Sequence, residues 1–264
     1  MNEVIFPFLL TIIAGFSTMI GTIFIFTKMN INKLTKYFLA FAAGVMISVS
    51  LLDLIPESLN FIIKNNIKSK SFIILITGII IGIIISVVID KIIPQNINVN
   101  NKKIYRVGIF SMIAIIIHNI PEGIITFLTS STNISIGIML TIAIALHNLP
   151  EGISISVPIY TATNSKKRAV GYTFISALAE PLGAIIALIF LKPIITNTVM
   201  GFMISITAGI MLHIGIFQLV PISIQYKNKI KILFSFILGI LLMIISNIFM
   251  SFYNKYPLLL ILKQ

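Results

Sequence analysis

The chain has 264 residues, of which 58% are hydrophobic and 10% are charged. Soluble domains carry about 25% charged residues, so the composition excludes a soluble globular protein, and it also excludes a disordered chain, a collagen and a coiled coil. There is no cysteine, which excludes disulfide bonds, thiolate metal sites and cysteine nucleophiles. The formal net charge of +12 does not indicate a nucleic acid partner, because the basic residues lie almost entirely between apolar segments.

Eight apolar segments follow one another along the chain. Each has at least the length of about 20 residues that an α-helix needs to cross the hydrocarbon core of a bilayer. The sequence therefore predicts an all-α, polytopic integral membrane protein, in which residues 1–264 form a single transmembrane domain surrounded by the lipid bilayer. The predicted spans are 5–26, 37–59, 72–93, 107–130, 134–160, 169–191, 194–220 and 232–253.

The distribution of basic residues predicts how these spans are oriented. With the N-terminus outside, the cytoplasmic loops contain 13 Lys and Arg residues and the external segments contain 6. Cytoplasmic loops are enriched in Lys and Arg, so we expect both termini to be external, although Lys64, Lys68 and Lys70 fall in an external loop. The polar residues 94–106 then form a cytoplasmic loop. We expect a multi-pass protein of the inner, cytoplasmic cell membrane.

Three acidic residues lie near the middle of predicted spans. Glu122, Glu151 and Glu180 belong to the fourth, fifth and sixth spans, and no Lys or Arg of those spans lies close to them. A charged side chain at the centre of a bilayer costs about 3 kcal/mol. Because three uncompensated carboxylates would also repel one another, they must be protonated or neutralised by a cation.

Two of these acids belong to a repeated motif. Residues 118–123 and 147–152 both read His-Asn-x-Pro-Glu-Gly, and Glu180 follows Glu151 by the same 29 residues that separate the two motifs. The His, Asn and Glu of each motif lie on one face of a helix, because they are three or four residues apart. Proline removes a backbone hydrogen bond, so we expect broken helices at mid-membrane, a recurring feature of transport sites. The prolines concerned are Pro121, Pro150 and Pro181.

The side chains of the motif favour a metal ion. Imidazole nitrogen, amide oxygen and carboxylate together suit Zn²⁺, Fe²⁺, Mn²⁺ or Co²⁺ better than Ca²⁺, which takes oxygen ligands. Two glutamates reaching from different helices could bridge two metals. A single proline kink or a lone intramembrane histidine is usually structural, but a repeated polar cluster with a third acid favours metal binding.

At these residues the sequence resembles the ZIP family of divalent metal transporters, in particular its bacterial ZupT-type members. The resemblance extends through residues 42–46, 52–57, 179–181 and 208–211. It implies a ZIP-type bundle of eight transmembrane helices with both termini outside and the metal site at the midplane. It also implies uptake of divalent metal cations, zinc and also iron, manganese and cobalt, as transported or bound ions and not as catalytic cofactors. The family resemblance favours a homodimer.

The resemblance further implies a two-metal centre that is bridged by Glu122 and Glu151. The first site would be completed by His118, His147 and Met46, and the second by Asn119, Asn148 and Glu180.

Five other residues have less specific interpretations. Phe217 and Gln218 end the seventh span, where related sequences carry acids before the proline, so a carboxylate role at these positions is in doubt. His213, on the same span, is expected to pack or to hydrogen-bond to a neighbouring helix. Asp53 and Glu57, toward the external end of the second span, either attract cations to the mouth of a path or are simply solvated.

Two other classes of protein remain open at this stage. A proton-coupled solute carrier would also need intramembrane acids, but the paired His, Asn and Glu would have no clear purpose in it. An intramembrane metalloprotease needs His-Glu-x-x-His and a di-iron oxidase needs Glu-x-x-His pairs, whereas the order here is His-x-x-x-Glu. The sequence also lacks the phosphate-binding Gly-x-x-x-x-Gly-Lys-Ser/Thr motif. We therefore predict a transporter and not an enzyme.

Overall fold

The computed structural model describes residues 2–94, 99, 101–191 and 196–255. All regular structure within these residues is helical, and eight of the helices are long and apolar enough to cross a membrane. The prediction of an all-α fold with eight spans is therefore confirmed. The spans are α1 (Val4–Phe26), α2 (Ile31–Ile63), α3 (Lys68–Ile92), α4 (Lys102–Thr132), α5 (Ile134–Thr163), α6 (Lys166–Phe190), α7 (Asn197–Ile224) and α8 (Lys229–Ile248).

Several helices begin at side-chain caps, which fixes their boundaries. The Asn101 side chain accepts a hydrogen bond from the backbone N–H of Ile104 at 3.2 Å, as asparagine commonly does at the first position of a helix. Because α4 starts there, the predicted loop 94–106 ends earlier than its sequence suggested. Most of the polar stretch 95–101 lies outside the described residues, as do Lys192 and Lys263.

Within the described residues, four segments of the spans are helical but not α-helical. The second part of α1, Thr18–Phe26, is a 3₁₀-helix. The other three are π-helical turns, a rare form that is frequent at functional sites. They are Ser50–Leu54 in α2, Ala187–Leu191 at the end of α6 and Ile214–Leu219 in α7.

The three motif prolines do not all break their helices. α4 continues through Pro121 and α5 continues through Pro150, so the expectation of breaks at these two positions was wrong. One proline removes one backbone hydrogen bond, and the bonds on either side keep each helix whole. α6 is interrupted at Leu178, two residues before Glu180, which places the one break at the third acid.

Burial separates central from peripheral helices. In the apolar segments of α2 and α4, 61% of residues are buried, against 28% in α3 and 22% in α8. α3 packs against α7 and α8 packs against α2. The helices that carry the motif are therefore inside the bundle, with α1 and α2 packed beside them.

Candidate metal centre

The two motifs face each other across adjacent helices. α4 and α5 are joined at Asn133 alone, so they run in opposite directions and place residues 118–123 beside residues 147–152. Most of the polar side chains in the two motifs are completely buried, while Glu122 and His147 keep 5% and 6% of their surface exposed. The sequence-predicted cluster thus lies in the interior of the bundle, near the middle of both helices.

Each histidine is paired with the glutamate of the other motif. His118 Nε2 lies 3.1 Å from Glu151 Oε1, and His147 Nε2 lies 3.6 Å from Glu122 Oε2. The first distance is a hydrogen bond and the second is an ion-pair distance beyond hydrogen-bond range. The crossed pairing brings four of the predicted ligands of the first site into one cluster.

Asn148 connects this cluster to Glu180. Its side-chain amide donates to Glu180 Oε1 at 2.5 Å and to the backbone carbonyl of Ala14 in α1 at 2.9 Å. Because both contacts use the amide nitrogen, the Asn148 carbonyl oxygen remains free to bind a cation. Three of the ligands assigned to the second site, Asn148, Glu180 and the neighbouring Glu151, are therefore grouped around the α5–α6 contact.

The cluster is rich in buried polar atoms that have no partner. Among the described residues, 14 buried side-chain N and O atoms make no hydrogen bond, and nine of them belong to the predicted ligands. Buried polar atoms are normally satisfied, so a concentration at one place indicates a site for something else. The nine are His118 Nδ1, both Asn119 atoms, both Glu122 oxygens, His147 Nε2, Asn148 Oδ1, Glu151 Oε2 and Glu180 Oε2.

These side chains are paired and do not form a ready-made cage. Among the described residues, no three His, Asp or Glu side chains converge closely enough to hold a metal ion. Instead, each imidazole lies beside one carboxylate. Met46, in α2, is fully buried in the hydrophobic core of the bundle. Its role as a ligand still rests on the family resemblance.

A glycine in the first motif lets α4 approach α6. A Cβ atom at Gly123 would collide with the backbone carbonyl of Glu180 in α6. By contrast, a Cβ atom at Gly171, a glycine of α6, would meet nothing within 4 Å. Close contact at small residues is typical of membrane helix packing. Gly123 thereby sets the distance between Glu122 and Glu180.

We expect Gly123→Ala to destabilise the protein by about 1–3 kcal/mol, the usual cost of overpacking a core. The measurement is thermal unfolding of the purified protein in detergent. Gly171→Ala is the matched control and should leave the unfolding midpoint unchanged. Equal midpoints for both variants would contradict the close contact between α4 and Glu180.

A cavity of about 830 Å³ leads to the cluster from one end of the bundle. Lys64, Thr132 and Asn197 line its mouth, at the ends of α2 and α4 and the start of α7, and Glu122 and His147 line its inner part. Glu122 and His147 are slightly exposed because they line the cavity, whereas His118 and Glu151 are fully buried. A cation that enters the cavity would meet the looser His147–Glu122 pair first.

The two acids of α2 lie along this cavity. Asp53 and Glu57 both line it, and the Asn247 side chain of α8 donates a hydrogen bond to Asp53 Oδ1 at 2.5 Å. Asn247 was missed in the sequence, although a lone asparagine in an apolar span is itself a signal of interhelical contact. The contact between Asn148 and the backbone carbonyl of Ala14 could not be predicted from the sequence, because every residue has a backbone carbonyl.

The third histidine lies outside the cluster. His213 Nδ1 is 2.8 Å from Ser86 Oγ, which links α7 to α3, so the predicted interhelical hydrogen bond is confirmed. Phe217 is 60% exposed. Neither residue joins the cluster of predicted ligands.

The chain is similar to known proteins over most of its length. The family described as "ZIP Zinc transporter" matches residues 96–247. The chain is 41% identical to the zinc transporter ZupT of Streptococcus mutans, over 90% of this chain and 95% of that protein. It is 34% identical to the ZupT of Oceanobacillus iheyensis, over 95% and 100%, and 36% identical to that of Clostridium perfringens, over 93% and 96%. These matches cover nearly the whole length of the relatives, and the chain is a multi-pass membrane protein that belongs to the ZIP family of transporters.

Proposed function

We propose that this protein imports Zn²⁺, and also Fe²⁺, Mn²⁺ and Co²⁺, through a two-metal centre built from α4, α5 and α6. The observation that carries the proposal is the group of buried imidazole, amide and carboxylate atoms without hydrogen bonds, of which those of Glu122 and His147 line the cavity. Nitrogen and oxygen donors in this mixture suit these divalent metals. The relatives named as zinc transporters support zinc as the principal substrate.

In this proposal the crossed pairs are the metal-free form of the centre. Metal ligands must be deprotonated, and each cation that binds would separate an imidazole from the carboxylate that faces it. Glu122 and Glu151 would bridge the two ions, with His118 and His147 on one and Asn119, Asn148 and Glu180 on the other. Mutual pairing lowers the cost of burying these groups while the site holds no ion.

The cavity supports uptake as the direction of transport. Its mouth lies at the end of the bundle that the basic residues predict to be external, so the described conformation would accept cations from outside. A negative interior favours cation uptake by about 2.3 kcal/mol per charge for each 100 mV. The proposal accordingly includes an inner-membrane location with external termini, and a homodimer on the family precedent.

Purified protein in liposomes tests the proposed function. We expect uptake of Zn²⁺ that saturates, and competition by Fe²⁺, Mn²⁺ and Co²⁺, with and without a pH gradient. Uptake that requires a pH gradient and an organic solute, with no metal flux, would favour a solute carrier. Absence of metal flux with iron-dependent turnover would favour a metalloenzyme.

The contact between α8 and α2 gives a separate prediction. Asn247→Ala removes the hydrogen bond that holds Asp53, so we expect the KM for Zn²⁺ uptake to rise about fivefold, which corresponds to one lost hydrogen bond. The maximal rate should change little, because Asn247 does not touch the centre. Ser246→Ala is the matched control, since Ser246 lines the same cavity. An unchanged KM in Asn247→Ala would exclude this positioning role.

A further inference from the structure

Buried hydroxyl groups in this bundle usually bond to their own helix. Thr126 donates to the carbonyl of Glu122 at 2.8 Å and Thr173 donates to that of Ala169 at 2.9 Å. Five buried hydroxyls of the described residues make no such bond, and a membrane interior supplies no water to replace it. They are Thr18, Ser111, Ser130, Ser176 and Thr207.

Two of these hydroxyls lie on the cavity side of the metal centre. Thr207 lines the cavity, and Ser130 lies against Gly137, next to the short link between α4 and α5. The other three, in α1, α4 and α6, lie on the opposite side, toward the end of the bundle with the basic loops. Hydroxyls without hydrogen bonds therefore occur on both sides of the metal centre, toward the cavity and toward the basic loops.

The three hydroxyls on the side of the basic loops are close in sequence to residues of the centre. Ser176 precedes Glu180 by four residues, across the interruption of α6 at Leu178. Ser111 precedes His118 by seven residues, two turns on the same face. Thr18 follows Ala14, whose carbonyl holds Asn148, by four residues. All three are fully buried, and the segment Thr18–Phe26 packs against the first half of α6, which packs in turn against α4.

A pair of tyrosines lies closer to the basic loops than Ser111 and Ser176 do. Tyr172 precedes Ser176 by four residues on α6, and its hydroxyl is 3.2 Å from the Tyr105 hydroxyl of α4. Tyr105 is in the first turn of α4 and Tyr172 is in the second turn of α6, so the pair joins these helices at the end of the bundle with the basic loops. The hydrogen bond holds these two helices together at that end.

We propose that Thr18, Ser111 and Ser176 line the release route of the transported divalent cation, and that the Tyr105–Tyr172 hydroxyl pair closes it in the described conformation. Neutral hydroxyl oxygens are hard donors that can replace the water of a divalent cation, but they hold it more weakly than the carboxylates of the centre. A route must bind its ion weakly enough to let it leave. The inference rests on the proposed function, since it assigns an exit to the same cation.

The absence of cysteine in the chain allows a direct test with single thiols. We expect the thiol of Ser176→Cys to react with the small cationic reagent 2-aminoethyl methanethiosulfonate added from the side of the basic loops. The matched control is Thr173→Cys, which replaces a fully buried hydroxyl on the same helix that is bonded to its own backbone. Adding Tyr172→Phe to Ser176→Cys removes the hydrogen bond across the exit and should raise the reaction rate about fivefold.

Transport kinetics give a second readout. Ser176→Val should lower the maximal rate of Zn²⁺ uptake about fivefold without changing Zn²⁺ binding to the purified protein, whereas Ser176→Thr and Thr173→Val should keep the rate. A thiol at position 176 that reacts no faster than one at position 173, or normal uptake by Ser176→Val, would overturn the route. Failure of the unaltered chain to take up any metal would instead contradict the proposed function. The labelling experiment does not depend on metal uptake, so the two failures can be distinguished.

Discussion

Glu122→Gln and Glu151→Gln are each expected to reduce Zn²⁺ uptake at least about a hundredfold, beyond the 10- to 100-fold typical of losing a residue that only supports a metal ligand. Each substitution keeps the size of the side chain but removes a charge that would be shared between two ions. Both Glu122 oxygens are buried and make no hydrogen bond, and Glu151 keeps one oxygen without a hydrogen bond beside the one that contacts His118. A bridging ligand contributes to both sites, so its loss affects both.

Abundance in the membrane separates this effect from misfolding. A neutral side chain is easier to place at mid-bilayer than a charged one, so we expect normal insertion and normal amounts of both variants. Asp90→Asn is the matched control, because it removes an acid that pairs with Arg106 at 2.9 Å, away from the centre. Uptake at the unaltered rate by either glutamate variant, at normal abundance, would exclude a bridging role for that residue.

The clustering of the proposed ligands could be predicted because it depends on local spacing in the sequence. His, Asn and Glu at three- and four-residue spacing must share a helical face, and acids without nearby basic residues in apolar spans need a partner. The pairing of His118 with Glu151, instead of with Glu122 of its own motif, depends on how α4 and α5 pack. The spacing of residues within one helix cannot predict which glutamate of the other helix each histidine contacts.

The backbone around the centre was less predictable. Proline chemistry alone predicted breaks at Pro121 and Pro150, but both helices continue, and α6 breaks at Leu178. Whether a helix breaks depends on its neighbours as well as on its own sequence. The cavity that joins Asp53 to Glu122 is likewise a property of several packed helices, of which α8 contributes Asn247 from a distant part of the chain.

Metal selectivity is expected to divide between the two halves of the centre. In the proposed centre, His118 and His147 would bring imidazole to the first site, whereas Asn119, Asn148 and Glu180 would bring only oxygen donors to the second. Imidazole favours Zn²⁺, and carboxylate and carbonyl oxygens are comparatively favourable to Mn²⁺. His147→Ala should therefore lower the ratio of Zn²⁺ uptake to Mn²⁺ uptake about tenfold. Glu180→Gln should lower the uptake of Mn²⁺ and Fe²⁺ at least as much as the uptake of Zn²⁺.

The ratio of uptake rates is the useful measurement, because it cancels differences in the amount of protein. His213→Ala is the matched control for His147→Ala, since His213 is bonded to Ser86 outside the centre and its loss should leave the ratio unchanged. Asn148→Ala should have the same effect as Glu180→Gln, and the two together should add little, because these side chains share one hydrogen bond and coupled residues are not additive. If His147→Ala and Glu180→Gln instead lower the uptake of all four metals by the same factor, the halves of the centre do not divide selectivity, and a single shared site describes the cluster better.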